Sequence, residues 1–169
     1  SVAQSMEKGN WEGDEDFRSK LKDQDEAIAL EQEARNVNDD DALHELIERA
    51  KIRVNQKPED LGNYREIASS YRKLGDMAAA VEWVQYAREL ETGQVDVALE
   101  EMETQYYLEW MQQEIESMEI QLEENSENAE LLEYLDAARS EEQEFRYHQA
   151  VKMVDKYPND YSYRFELGQ

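Results

Sequence analysis

The chain has 169 residues, enough for one ordinary domain. Its 42 acidic residues outweigh 18 basic ones, and the formal charge of −24 repels nucleic-acid phosphates and anionic lipid while favouring basic partners or cations. There is no cysteine, which excludes disulfides, thiolate catalysis and cysteine metal sites, and there is no run of about 18 apolar residues to cross a membrane.

Two prolines and six glycines leave few places to break a helix. Abundant Glu, Gln, Ala, Leu and Met favour one. The expected fold class is all-α. No signal peptide is visible and the expected location is the cytoplasm, although the chain begins at Ser1 without Met.

Residues 1–13, SVAQSMEKGNWEG, lack periodicity and read as a flexible arm. From Asp14 to Val37 the chain reads as a helix, but Phe17, Leu21, Ile28 and Ala34 are too sparse for a deep core. NDDD, residues 38–41, offers an N-cap and an acidic first turn for a second helix. Leu43, Leu46, Ile47, Ala50 and Val54 follow at helical spacing, and Pro58 ends the run. Residues 14–60 are therefore expected to be N-terminal helices.

In NYREIASSYRKLGDMAAAVEWVQYAREL (63–90) two apolar faces flank a Gly. Tyr64, Ile67, Ala68, Tyr71 and Leu74 form the first. Gly75-Asp76 breaks the helix, since Gly takes the left-handed conformation that ends it. Ala80, Val81, Val84, Ala87 and Leu90 form the second. Helices joined so briefly lie antiparallel.

That pattern resembles the tetratricopeptide repeat, a helix–turn–helix of about 34 residues. Tyr64, Ile67, Ala68, Tyr71, Gly75, Ala80, Val84 and Ala87 match its key positions without a gap; its closing Pro is replaced by Thr92-Gly93. The resemblance implies a fragment of a right-handed α-solenoid, with residues 61–93 as the well-matched unit. Pro58 falls where the preceding unit closes, making Ala42–Lys57 the second helix of a degenerate repeat and Ile28–Val37 its poorly matched first. Residues 159–169, after Pro158, read as the start of a further repeat that the chain breaks off.

Between them, residues 94–158 span roughly two units without a turn Gly. Leu108, Met111, Ile115, Met118 and Leu122 step by three and four, as in a coiled-coil seam. Leu131, Leu135, Ala138 and Phe145 partly mirror them, with Glu142 interrupting. One elongated hairpin is expected, Val95–Glu124 and Asn128–Tyr157, each arm about 45 Å long. Two separate short repeats are the alternative, which requires a break near Tyr106–Glu109 where nothing breaks a helix. Residues 95–144 hold 17 acids against Arg139 alone, a net of −16. The two arms repel each other, so either the apolar seam carries the pairing or a basic partner or cation neutralises it.

The resemblance also implies that Arg65, Ser69, Arg72 and Lys73 lie on groove-facing positions of the first helix. Some family members use such cations to grip the carboxylates of an acidic peptide; the Asn that usually accompanies them is Ser69 here. The competing reading is that these cations satisfy the chain's own acids. Tyr106, Tyr107 and Trp110, with Trp83 and Tyr86, form either a contact patch or core. Trp83 and Tyr106 read as core, and Trp110 remains open as a partner anchor.

Catalytic patterns are missing: His44 and His148 stand apart, and there is no phosphate loop or nucleophile elbow. NDDD lacks the Gly and distal Glu of a calcium loop. The expectation is a non-enzymatic scaffold without cofactor or metal that binds a protein or peptide partner. The alternatives are a self-assembly element built on the hairpin, giving a homo-oligomer, and an enzyme subunit using a carboxylate pair with a metal.

Overall fold

The computed structural model describes residues 2–158, with side chains from residue 13 onward. Six α-helices follow in order: α1 (Val2–Gln56), α2 (Leu61–Lys73), α3 (Met77–Glu89), α4 (Glu91–Gln94), α5 (Val97–Glu124) and α6 (Ala129–Lys156). There is no strand among the described residues. The further repeat expected at 159–169 lies outside them.

The N-terminal region differs from expectation. One helix runs from Val2 through the residues assigned to an arm and through NDDD, without the turn that a degenerate repeat requires. Every residue from 13 to 42 is exposed. Among the described residues nothing covers this stretch, so a break at Asn38 would free backbone hydrogen bonds without gaining buried surface there. Arg18–Asp14, Lys20–Asp16, Lys22–Glu26 and Arg35–Glu31 ion pairs span single turns along it. Each adds about 0.3–0.5 kcal/mol to an isolated helix.

Burial begins where α1 reaches α2. Ile47 and Ala50 pack with Ile67. On its other side α2 offers Tyr64 and Ala68 to Met77, Ala80, Val81, Val84 and Ala87 of α3, and the cluster continues to Leu99 and Tyr106 of α5. Ala68 and Ala80 are fully buried, which lets the two helices approach closely. Val54, Tyr71 and Trp83 touch both clusters. The Lys51 ammonium lies 5.7 Å from the Tyr71 ring and 6.0 Å from that of Trp83, tying α1 to both following helices.

The turns follow from local chemistry. Gly75 has φ +82, the left-handed conformation. Asp76 N donates to Tyr71 O and Gly75 N to Arg72 O, the paired bonds of a Schellman motif. Asp60, Asp76, Asp96 and Asn128 each accept a backbone N–H of the helix that they begin. Gly93 meets a different demand. A Cβ there would sit 1.8 Å from the carbonyl oxygen of Ala87, so α4 passes the end of α3 at a distance only glycine allows.

Helices α5 and α6 form an antiparallel hairpin over the span read as one. Met111, Ile115 and Leu135 are its buried residues beyond the base, and Leu108, Met118, Leu122, Leu131, Ala138 and Phe145 are half-buried. Glu142 enters this seam with its carboxylate held by Arg146 at 2.8 Å. Arg139, the lone base of the acidic stretch, crosses to Glu119 at 2.8 Å. No helix among the described residues is long and apolar enough to cross a membrane.

The two glycines predict different losses. At Gly75 a Cβ meets open space, so G75A suffers only backbone strain of about 1–2 kcal/mol. G93A must displace backbone. Thermal unfolding followed by circular dichroism is expected to show the larger drop for G93A; the reverse order would contradict this packing.

Candidate functional site

The α2 face expected to hold a partner is built on successive turns. Arg65, Ser69 and Arg72 follow at spacings of four and three, which places them on one side of a helix. Asp60 caps its start and Gly75 its end. The opposite side is pinned by Tyr64, Ile67, Ala68 and the buried Ser70, whose hydroxyl donates to Glu66 O at 2.7 Å.

Two of the cations reach α5. Arg72 Nε and Nη2 donate to the two carboxylate oxygens of Glu109, at 2.7 and 2.8 Å. Its guanidinium also lies 5.5 Å from the Tyr106 ring. Arg65 Nη2 donates to Asp96 Oδ2 at 2.6 Å, while Asp96 Oδ1 accepts Leu99 N at 2.8 Å. The same aspartate therefore starts α5 and fastens it to α2. At the far end Gln113 Nε2 donates to Gly75 O at 2.8 Å. The pairs 65–96, 72–109 and 75–113 rise together, so α2 and α5 run in the same direction, bridged by long side chains while α5 packs its backbone on α3.

The other candidates are placed differently. Ser69 is half-buried and its hydroxyl donates to Glu66 O at 3.1 Å. Lys73 is exposed and has no ion-pair partner among the described residues. Trp110 is half-buried against the main cluster, its ring 5.5 Å from Tyr107, which in turn stacks at 4.8 Å on Phe145 of α6. Trp83 is half-buried at the junction of both clusters and Tyr106 is buried. The structure thus brings Arg65 and Arg72 together with carboxylates of α5, leaves Lys73 in solvent and turns Trp110 toward the hairpin base.

Sequence reasoning did not find Asp96, Glu103, Glu109 or Arg88. Arg88 Nε donates to Glu103 at 2.9 Å, and its Nη1 to the Gly93 and Gln94 carbonyls at 2.8 and 2.9 Å. It staples α3, α4 and α5 together. Beside it a cleft of about 410 Å³ opens between α3, α5 and α6, lined by Gln85, Arg88, Glu103, Tyr107, Phe145 and Lys152 among others. The acids belong to a run so rich in Glu that no local pattern marks the three that pair.

These contacts shift the groups involved. Hydrogen bonding to Arg72 holds the Glu109 carboxyl below the usual glutamate range. The Leu99 N–H, and then Arg65, do the same for Asp96. Arg72 is raised by its bond to Glu109, and burial raises Tyr106. His44 is exposed, and His148 is exposed with its ring edge-on to Tyr147. No group of three or more His, Cys, Asp or Glu among the described residues is placed to hold a metal ion. The chain matches no protein-family model, no curated protein and no solved structure.

A depressed carboxylate contributes stability above its unfolded pKa and loses it as pH falls through its folded one. E109Q is accordingly expected to be less stable than wild type at pH 7, by about 1 kcal/mol or less for so exposed a pair. The gap begins to close near about pH 4.3, the free glutamate value, and vanishes below the lowered value. Paired denaturant titrations at pH 7, 4.5 and 3 measure it; a gap that is constant or widens in acid would contradict the Arg72–Glu109 contact.

Proposed function

We propose that this chain is a non-enzymatic scaffold or adaptor of the cytoplasm. It captures a protein or peptide partner on the face of α2 that carries Arg65, Ser69, Arg72 and Lys73. The reading takes α2–α3 as a tetratricopeptide-like unit and α5–α6 as an oversized neighbour in the same right-handed stack. The observation that carries it is the same-direction course of α2 and α5, bridged by Arg65 and Arg72. Stacked helix pairs that each bury a face on their neighbours leave their remaining faces aligned as an extended surface. The Schellman turn at Gly75 and the buried Ala68 and Ala80 support the repeat.

The partner is a polypeptide rather than a nucleic acid or a membrane. A charge of −24 opposes phosphate and anionic headgroups alike. Self-assembly through the hairpin receives less support. Met102, Trp110, Met111 and Met118 are buried or half-buried, and Ile120, Leu132 and Tyr134 are exposed. Lone exposed apolar residues are ordinary.

The test is partner capture with the immobilised chain, comparing wild type with R72E/K73E and with K152E as a control on α6. Circular dichroism verifies that each is folded. The double variant is expected to lose at least one partner that K152E retains. Equal recovery by all three proteins would overturn the groove.

A further inference from the structure

We infer that the exposed half of α1 is a pairing surface for a second copy of this chain, which lies on it antiparallel and covers Phe17, Leu21 and Ile28. The inference is independent of the α2 groove. Every residue from 13 to 42 is exposed, so over about 45 Å the helix has water on all sides. Helices in proteins draw most of their stability from a packed face. This one carries such a face without a cover. Phe17, Leu21, Gln24 and Ile28 step by four, three and four, which brings them onto one side. The three apolar ones are 61, 44 and 54% exposed, and a groove opens along the same side between Phe17 and Ala27. Scattered apolar residues are ordinary on a surface, but an aligned group marks a contact.

Charge selects the occupant and its direction. Arg18, Lys20 and Lys22 are followed at once by Asp23, Asp25 and Glu26. A second copy related by a two-fold axis between residues 22 and 23 lays each cationic stretch on the other's acidic stretch. The same register stacks Phe17 on Ile28 of the second copy and Leu21 on Gln24, each twice, and sets Arg18 beside Asp25. Asp23 and Asp25 have no ion-pair partner among the described residues, and the cations' own pairs to Asp14, Asp16 and Glu26 are exposed and weak. At the margins Asp14 meets Glu31 of the second copy, where each keeps an arginine of its own helix, Arg18 and Arg35. A parallel pair would set like stretches side by side. The other apolar stripe of this half, Ala27, Leu30, Ala34 and Val37, fails on the same ground: paired about its centre, it would oppose Glu31 to Glu33 and Asp25 to Asp39. Antiparallel pairing also holds the two Leu43 positions, where the bodies begin, about 60 Å apart along the axis, so the two acidic bodies stay clear of each other.

Sedimentation velocity of the full chain over about a hundredfold dilution reads the pairing by mass action. Wild type is expected to pass from dimer toward monomer. L21E, which puts a carboxylate into the stripe, is expected to weaken association about tenfold or more, and L132E, the same change at an exposed position of the hairpin, to match wild type. Circular dichroism verifies that each is folded. The chain has no cysteine, so S19C and E33C each accept a single spin label on the outward side of the pair. Label-to-label distances then read direction. Antiparallel copies place the labels about 10 Å apart along the axis at 19 and about 30 Å apart at 33, so E33C is expected to give the longer distance. A monomer at every concentration would overturn the inference. Equal weakening by L132E would move the contact off α1 and overturn it too. Equal distances from the two labels would mean parallel copies and contradict the charge argument.

Discussion

Arg72 grips Glu109 with two hydrogen bonds across 37 positions of sequence, and the placement of α5 is tied to contacts of that kind. Three arginines of the α2–α3 unit, Arg65, Arg72 and Arg88, meet three acids of α5, Asp96, Glu109 and Glu103. Two of them come from α2 and one from the end of α3. In a chain of −24 this use of arginine is economical of a scarce group. It neutralises acids where the hairpin meets the body and leaves the rest of the hairpin's acids in water. Apolar contact supplies the adhesion there, through Leu99, Tyr106 and the partly covered Met102, Tyr107 and Trp110. The ion pairs supply register, because a bidentate fork fits one rotation of α5 and not its neighbours.

Charge and packing divide the molecule in two. Around α2 and α3 the core is continuous and Glu66, Asp96, Glu103 and Glu109 meet arginines. Outward from there, in the first half of α1 and the far half of the hairpin, the helices are narrow and wet. The hairpin keeps a thin seam, Met111, Ile115 and Leu135, against the mutual repulsion of its arms. The α1 extension has no seam and relies on pairs within its own turns. Isolated helices draw little stability from propensity alone, so these two regions are where local opening is expected to concentrate.

Much of the architecture was legible where the cause is local. Gly75 followed by Asp76, Pro58 and the segment between Glu124 and Asn128 each mark a turn, and the helices begin and end there. Ala68 and Ala80, matched to key positions of the repeat, are both buried. The failures share a different cause. NDDD is a good helix start, but a start becomes a turn only when the preceding segment has something to pack on, and residues 13–42 have nothing. Thr92-Gly93 read as a missing Pro; its significance is the passage of α4 beside the Ala87 carbonyl, a contact invisible in the chain order. For the site, the four α2 positions were found from helix geometry and resemblance. Their carboxylate partners depend on how α5 is rotated against α2, which neither periodicity nor composition specifies among so many glutamates. The competing reading, that the cations meet the chain's own acids, describes Arg65 and Arg72 and not Lys73.

The account stands on Arg72 and Glu109 interacting across α2 and α5. A double-mutant cycle with R72Q, E109Q and R72Q/E109Q, read by urea unfolding at pH 7, isolates that interaction. The account predicts that the double variant is less destabilised than the sum of the singles, with a coupling of about 0.2–1 kcal/mol that disappears at pH 3. Additive losses at both pH values would mean that the two side chains do not pair in solution, and would contradict it.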